Sequence, residues 1–111
     1  MDESRALDAF GALSQTTRLQ IVRLLVRAGP DGMAAGAVGA ALETSSSKLS
    51  FHLSHLERAG LVRSRREARS IIYSAAYSAL SELIAFLMRD CCQGRPDVCA
   101  PAIAALSARC G

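Results

Sequence analysis

Cysteine is missing from the first 90 of the 111 residues; the four present stand at positions 91, 92, 99 and 110. That placement excludes a disulfide framework through the main body and reads as local thiol chemistry in one terminal segment. Long apolar runs are missing too. No stretch reaches the roughly 18 to 20 uninterrupted apolar residues of a membrane span, and the opening MDESRALDAF is acidic without an apolar run. Neither a membrane segment nor a secretory leader is expected, and the protein is read as cytoplasmic. Internal repeats are absent. A chain of this length with 50% hydrophobic content suits one globular domain, since domains of about 100 to 150 residues are the commonest size. So small a domain exposes much of its surface. A helix left apolar after one core is built therefore calls for a partner chain, and dimerisation is expected.

The net charge of +3 is modest, but it is unevenly placed. Between Thr44 and Tyr73 lie Lys48, Arg58, Arg63, Arg65, Arg66 and Arg69 against Glu57 and Glu67, a net +4, which leaves −1 for the rest. Such a patch is the electrostatic footprint of phosphate contacts.

Leu7, Phe10 and Leu13, at three-residue spacing behind Ser4, predict a short amphipathic helix over 4–13 capped by Ser4. Ser14 or Thr16 caps the next, in which Gln20, Arg23 and Arg27 form a narrow polar stripe, so this helix is expected to be central and mostly buried. Gly29-Pro30-Asp31-Gly32 ends it. The small residues of 33–42 predict a short packing helix. The hydroxyls of Thr44 to Ser47 cap a further helix running to about Ala59, with Gly60 in the usual terminating position. Leu49, Leu53 and Leu56 share one of its faces, and Ser47, Ser50, Phe51, Ser54 and Arg58 lie on the other. Alternation from Leu61 to Ala75 predicts a β-hairpin turning at Glu67-Ala68. Leu80, Leu83, Ile84, Leu87 and Met88 predict a strongly amphipathic helix over 77–90 whose apolar stripe needs a partner surface. The fold class is therefore mainly α with a β-hairpin wing, ordered α-α-α-α-β-β-α. Residues 1–90 form the domain and 91–111 a cysteine-bearing tail.

The run SSSKLSFHLSHLERAGLVRSRREARSIIY at 45–73 resembles the recognition helix and wing of the ArsR/SmtB family of winged helix-turn-helix repressors, and ALSQTTRLQIVRLL resembles that family's second helix. With the helices around them, these segments cover residues 4–90. The resemblance implies a homodimer, joined through 4–13 and 77–90, on palindromic double-stranded operator DNA. Carried over by position, Ser46, Ser47, Lys48, Ser50, Phe51 and Ser54 form the groove-facing set, with Arg65, Arg66 and Arg69 on the wing. Hydroxyls read bases permissively, and Phe51 suits a thymine methyl. His52 is read as a packed helix residue; the role of His55 stays open. The sequence departs from the family at two points. Gln15-Thr16 replaces a frequent Asp-Pro, and Ala68 stands where the wing turn usually has Gly. The second makes positive φ costly and favours another turn type at the tip.

Members of the family differ mainly in where the inducer binds. Residues 33–42 carry no Cys, and 77–90 carry no His and only Glu82 and Asp90 as acids, so two of the family's usual inducer sites lack ligands. The tail remains. Cys91 and Cys92 are followed by Cys99, with Gly94 and Pro96 able to turn the chain back. Three thiolates suit As(III), which prefers three sulfurs in a pyramid, and Arg89 and Arg95 favour the thiolate form. The pattern also resembles the C-terminal site of one arsenic-responsive branch of the family. As(III), or Sb(III), is the expected inducer of a repressor, held by Cys91, Cys92 and Cys99. Zn, Cd or Pb sensing with Cys110 as a fourth ligand, and thiol-redox sensing, are the alternatives; otherwise Cys110 is a bystander. An enzyme is not expected, because no CxxC follows a strand and Cys91 and Cys92 lack C-x5-R spacing.

Overall fold

Helix α1 (Glu3–Leu13) starts one residue earlier than expected, because the Asp2 carboxylate accepts from the Arg5 amide at 2.8 Å and so replaces Ser4 as the cap. The computed structural model describes residues 1–89 together with 101 and 105. Helix α2 (Thr16–Ala28) is capped by neither Ser14 nor Thr16. The Gln15 side chain accepts from the Arg18 amide at 2.8 Å.

Residues 33 and 34 do not join the small-residue helix. They form strand β1 (Met33–Ala34), and helix α3 spans Ala35–Leu42. Gly32 is the cause: at φ 74° it lays the chain against the neighbouring strand so closely that a Cβ there would strike the Tyr73 carbonyl oxygen. Residues 33 and 34 then pair with Tyr73 and Ile72 of the neighbouring strand instead of entering the helix. Helix α4 (Ser46–Arg58) follows, then β2 (Val62–Glu67), β3 (Ser70–Ala75) and α5 (Tyr77–Met88). The sheet is antiparallel in the order β1-β3-β2, with Met33 opposite Tyr73 and Val62 opposite Ala75.

Pairing in the hairpin continues to Glu67 and Ser70, so the turn is Ala68-Arg69, one residue later than expected. Ala68 adopts φ 57°. The costly conformation is thus kept with alanine in place of glycine. Positive φ at the first loop position alone is the sign pattern of a type II′ turn, whose twist suits the paired strands.

Ile21, Leu25, Val38, Leu49, Leu53, Leu56, Leu61 and Val62 form the core, together with Ala6, Ala9 and Ala12 of α1. It is the alanine face of α1 that packs inward. Leu7 is 63% exposed and Phe10 also points outward. Small side chains let α1 lie close to α2 and α4, Leu13 packs at the edge of the core, and Leu7 and Phe10 are left for another surface. Helix α2 is less buried than its narrow polar stripe suggests, since Leu19 and Val26 are exposed. In α5 only Leu83 is fully buried. No helix among the described residues is long and apolar enough to cross a membrane.

Candidate nucleic-acid interface

Helix α4 buries Leu49, Leu53 and Leu56 and turns its opposite side outward. Ser46, Ser47, Lys48, Ser50, Phe51 and Ser54 are all exposed on it, Phe51 to 62%. The six residues assigned to groove reading are therefore brought together on one helix surface. The Ser45 side chain makes no cap hydrogen bond, and the Thr44 hydroxyl donates to the Leu42 carbonyl at 3.1 Å instead. The first-turn amides of α4 thus keep their donor capacity at the positive end of the helix dipole, beside Ser46 and Ser47.

The other end of α4 is tied down. The Leu61 amide donates to the Leu56 carbonyl and the Gly60 amide to the Glu57 carbonyl, each at 3.0 Å, with Gly60 at φ 81°. These are the paired bonds of a Schellman motif, and the apolar contact that completes it joins two fully buried leucines, Leu56 and Leu61. The Ser64 hydroxyl donates to the Glu57 carboxylate at 2.6 Å and so fixes β2 against α4.

Arg18, which sequence reasoning passed over, holds the middle of the helix. Its Nε donates to the Ala12 carbonyl at 2.8 Å and its Nη1 lies 3.3 Å from His52 Nδ1. His52 is half-buried, in keeping with its reading as a packed residue, and its ring meets Phe51 edge to face at 5.5 Å. Burial first, then the positive charges of Arg18, His55 and Lys48, hold the His52 imidazole below its ordinary pKa. Burial followed by Arg18 and Arg58 does the same to His55, which lines a cavity of about 340 Å³ with Asp8, Arg58 and Ala59. In sequence, nothing marked Arg18 apart from the other arginines of α2, because its partners lie in α1 and, 34 positions away, in α4.

The three wing arginines are not equivalent. Arg65 donates to the Asp31 carbonyl at 2.8 Å and pairs with Glu67 at 3.1 Å, so it braces the wing against the turn before β1. Arg66 shares the strand face of Ser64, the side that meets α4, and Arg69 sits in the tip loop. Both are exposed, and neither has an ion pair or side-chain hydrogen bond among the described residues. Arg63 donates to the Ser78 hydroxyl at 3.2 Å.

Cys91, Cys92 and Cys99 lie outside the described residues, as does Cys110. Among the described residues, no group of three or more His, Cys, Asp or Glu side chains could hold a metal ion.

Residues 13–65 match the model of a helix-turn-helix domain family. The transcriptional activator HlyU of Vibrio cholerae is 33% identical over 92 residues, which is 83% of this chain and 82% of that protein. An ArsR-like transcriptional regulator from Rhodococcus superposes with a TM-score of 0.72 at 27% identity, covering 92% of this chain and 93% of that one. A homodimeric winged helix-turn-helix DNA-binding domain from Mycobacterium bovis, described as a possible ArsR-family regulator, gives 0.65 at 28% identity over 77% and 76% of the two chains. On this evidence, the chain belongs to the ArsR/HlyU family of winged helix-turn-helix transcriptional regulators.

Proposed function

We propose that the protein is a homodimeric operator-binding repressor released by As(III). The observation that carries the DNA half is the exposed face of α4, with five polar side chains around Phe51 and the uncommitted Arg66 and Arg69 on the adjoining wing. In this reading α4 enters the major groove, its first-turn amides and the wing cations hold phosphates, and Ser46, Ser47, Ser50, Phe51 and Ser54 meet base edges. Two such helices, related by the two-fold axis, would read half-sites roughly 34 to 36 Å apart on a palindrome. The outward apolar residues Leu7 and Phe10 of α1 and Ile84 and Leu87 of α5 supply the dimer surface.

The inducer half rests on the thiols of Cys91, Cys92 and Cys99, which begin two residues after Arg89 and so just beyond the helix that carries the dimer surface. Drawing three thiolates onto one As(III) would change how the end of α5 meets its partner. That biases the dimer against the operator-competent spacing. A coupling of about 1 to 3 kcal/mol would release DNA by about 5- to 150-fold. HlyU is named an activator, so the direction of regulation is itself part of the proposal.

The test is an operator-binding titration with arsenite, antimonite, zinc and cadmium in parallel under reducing conditions. Arsenite should release the wild type, while Cys91→Ser, Cys92→Ser and Cys99→Ser bind DNA normally and resist release. Three mutants that still dissociate normally would end the site assignment.

A further inference from the structure

Arg18 links three helices. Its main-chain amide starts α2, its Nε donates to Ala12 at the end of α1, and its Nη1 reaches His52 in α4 at 3.3 Å. A guanidinium only donates, so His52 Nδ1 accepts, and the imidazole is neutral with its proton on Nε2. The same ring meets Phe51 at an interplanar angle of 71°, the edge-to-face arrangement that aromatic quadrupoles favour. Phe51 is otherwise largely in solvent, and this is the ring-to-ring contact it makes among the described residues.

We infer that Arg18 and His52 are positioning residues for base reading: a strut from the end of α1, through a neutral His52, sets the Phe51 ring for the groove. The inference rests on the reading of α4 as the groove-entering helix. Protonating His52 places an N–H against the guanidinium N–H and breaks the strut, yet it also adds a positive charge to a DNA-facing helix. The two effects oppose each other. Added charge raises affinity for any duplex through its phosphates, whereas a released Phe51 lowers affinity only for duplexes whose bases it reads. Acidification should therefore erode sequence specificity without eroding general DNA affinity.

The groups around the imidazole set where this occurs. Arg18 faces it from α2, and Lys48 and His55 from its own helix; α1 presents the Ala12 carbonyl, and Asp8 across the cavity shared with His55 and Arg58. Burial and the three cations hold the change below the ordinary value of 6.5.

The experiment uses the full chain and a duplex that the protein enriches from a random pool at about pH 7.5. Its affinity and that of a scrambled duplex are measured by fluorescence anisotropy at about pH 7.5 and at the acid pH where imidazole nitrogen NMR shows His52 protonated, at constant ionic strength. For wild type, the ratio of the two affinities should fall about tenfold on acidification while scrambled binding does not weaken. In His52→Asn, whose Oδ1 accepts at either pH, the ratio should change less than about twofold, whatever loss the missing ring causes. Arg18→Gln should have a low ratio throughout. An unchanged wild-type ratio, or an equal fall in His52→Asn, overturns the inference. Imidazole nitrogen NMR on the DNA-free protein separates the failures. It should report the Nε2–H tautomer and Phe51 ring resonances that move as His52 titrates. An Nδ1–H tautomer or an unresponsive Phe51 removes the strut. A pool that enriches no duplex defeats the groove reading and with it any base-reading role, even where the NMR result upholds the strut.

Discussion

At the scale of single residues, two backbone positions with positive φ make opposite predictions. Ala68 carries φ 57° at the wing tip with an L side chain, a conformation that costs roughly 1 to 2 kcal/mol. Ala68→Gly relieves that strain but loosens the unfolded chain, so the expected net gain is about 0.5 to 1 kcal/mol. Thermal unfolding should move up by a few degrees; a lower midpoint would mean that the turn is not strained. Gly32 is the converse case, because φ 74° coincides with backbone that a Cβ would strike at Tyr73. Gly32→Ala must distort the chain or part β1 from β3, and about 2 to 3 kcal/mol should be lost. Urea unfolding reads it directly, and a midpoint equal to wild type would contradict the close approach.

At the scale of elements, α4 is held by Arg18 in its middle and by Glu57 and Gly60 at its end, and the first of these holds is sensitive to acid. His52 and His55 are both held below their ordinary pKa. The unfolded chain therefore binds more protons than the native one, and stability rises with pH across that window. It is fully present above about pH 6.5 and is lost as pH falls toward the native values. Denaturant midpoints should drop between pH 7 and 5.5, and the drop should be smaller in His52→Asn; an equal drop would show that His52 does not contribute. Much of α4 was legible in the sequence. Leu49, Leu53 and Leu56 at helical spacing fix its buried side, and the hydroxyls, Phe51 and Lys48 follow as the outer one. The hairpin was legible for the same reason, through its alternation. The strand at Met33–Ala34 was not, because small residues fit helix and strand alike and only the approach to Tyr73, 40 positions away, decides between them. Nor was the difference between Arg65 and Arg66. It depends on which strand face meets Asp31, and residue type carries no such information.

At the scale of the whole molecule, the spacing of Leu7, Phe10 and Leu13 identified a helix without showing which side is inner: Ala6, Ala9 and Ala12 are buried and Leu13 packs at the edge of the core, while Leu7 and Phe10 face outward. In α5 the stripe divides, with Leu83 buried while Ile84 and Leu87 are 53% and 59% exposed. In the proposed homodimer these outward groups are the ones a second copy would cover, and that division allows association to be tested apart from folding. Each such side chain contributes about 1.5 to 3 kcal/mol when fully buried, and a two-fold axis counts every substitution twice. Ile84→Glu should leave the subunit folded, with near-wild-type helical content, while the dimer weakens by about 100-fold or more. Operator binding should fall with it, because each half-site then has to be found separately. Leu83→Ala, one residue away, should do the reverse, costing about 2 to 5 kcal/mol of stability through the cavity it leaves. Sedimentation velocity across a concentration series distinguishes the two. If Ile84→Glu remains as dimeric as wild type, the outward face of α5 is not where the copies meet.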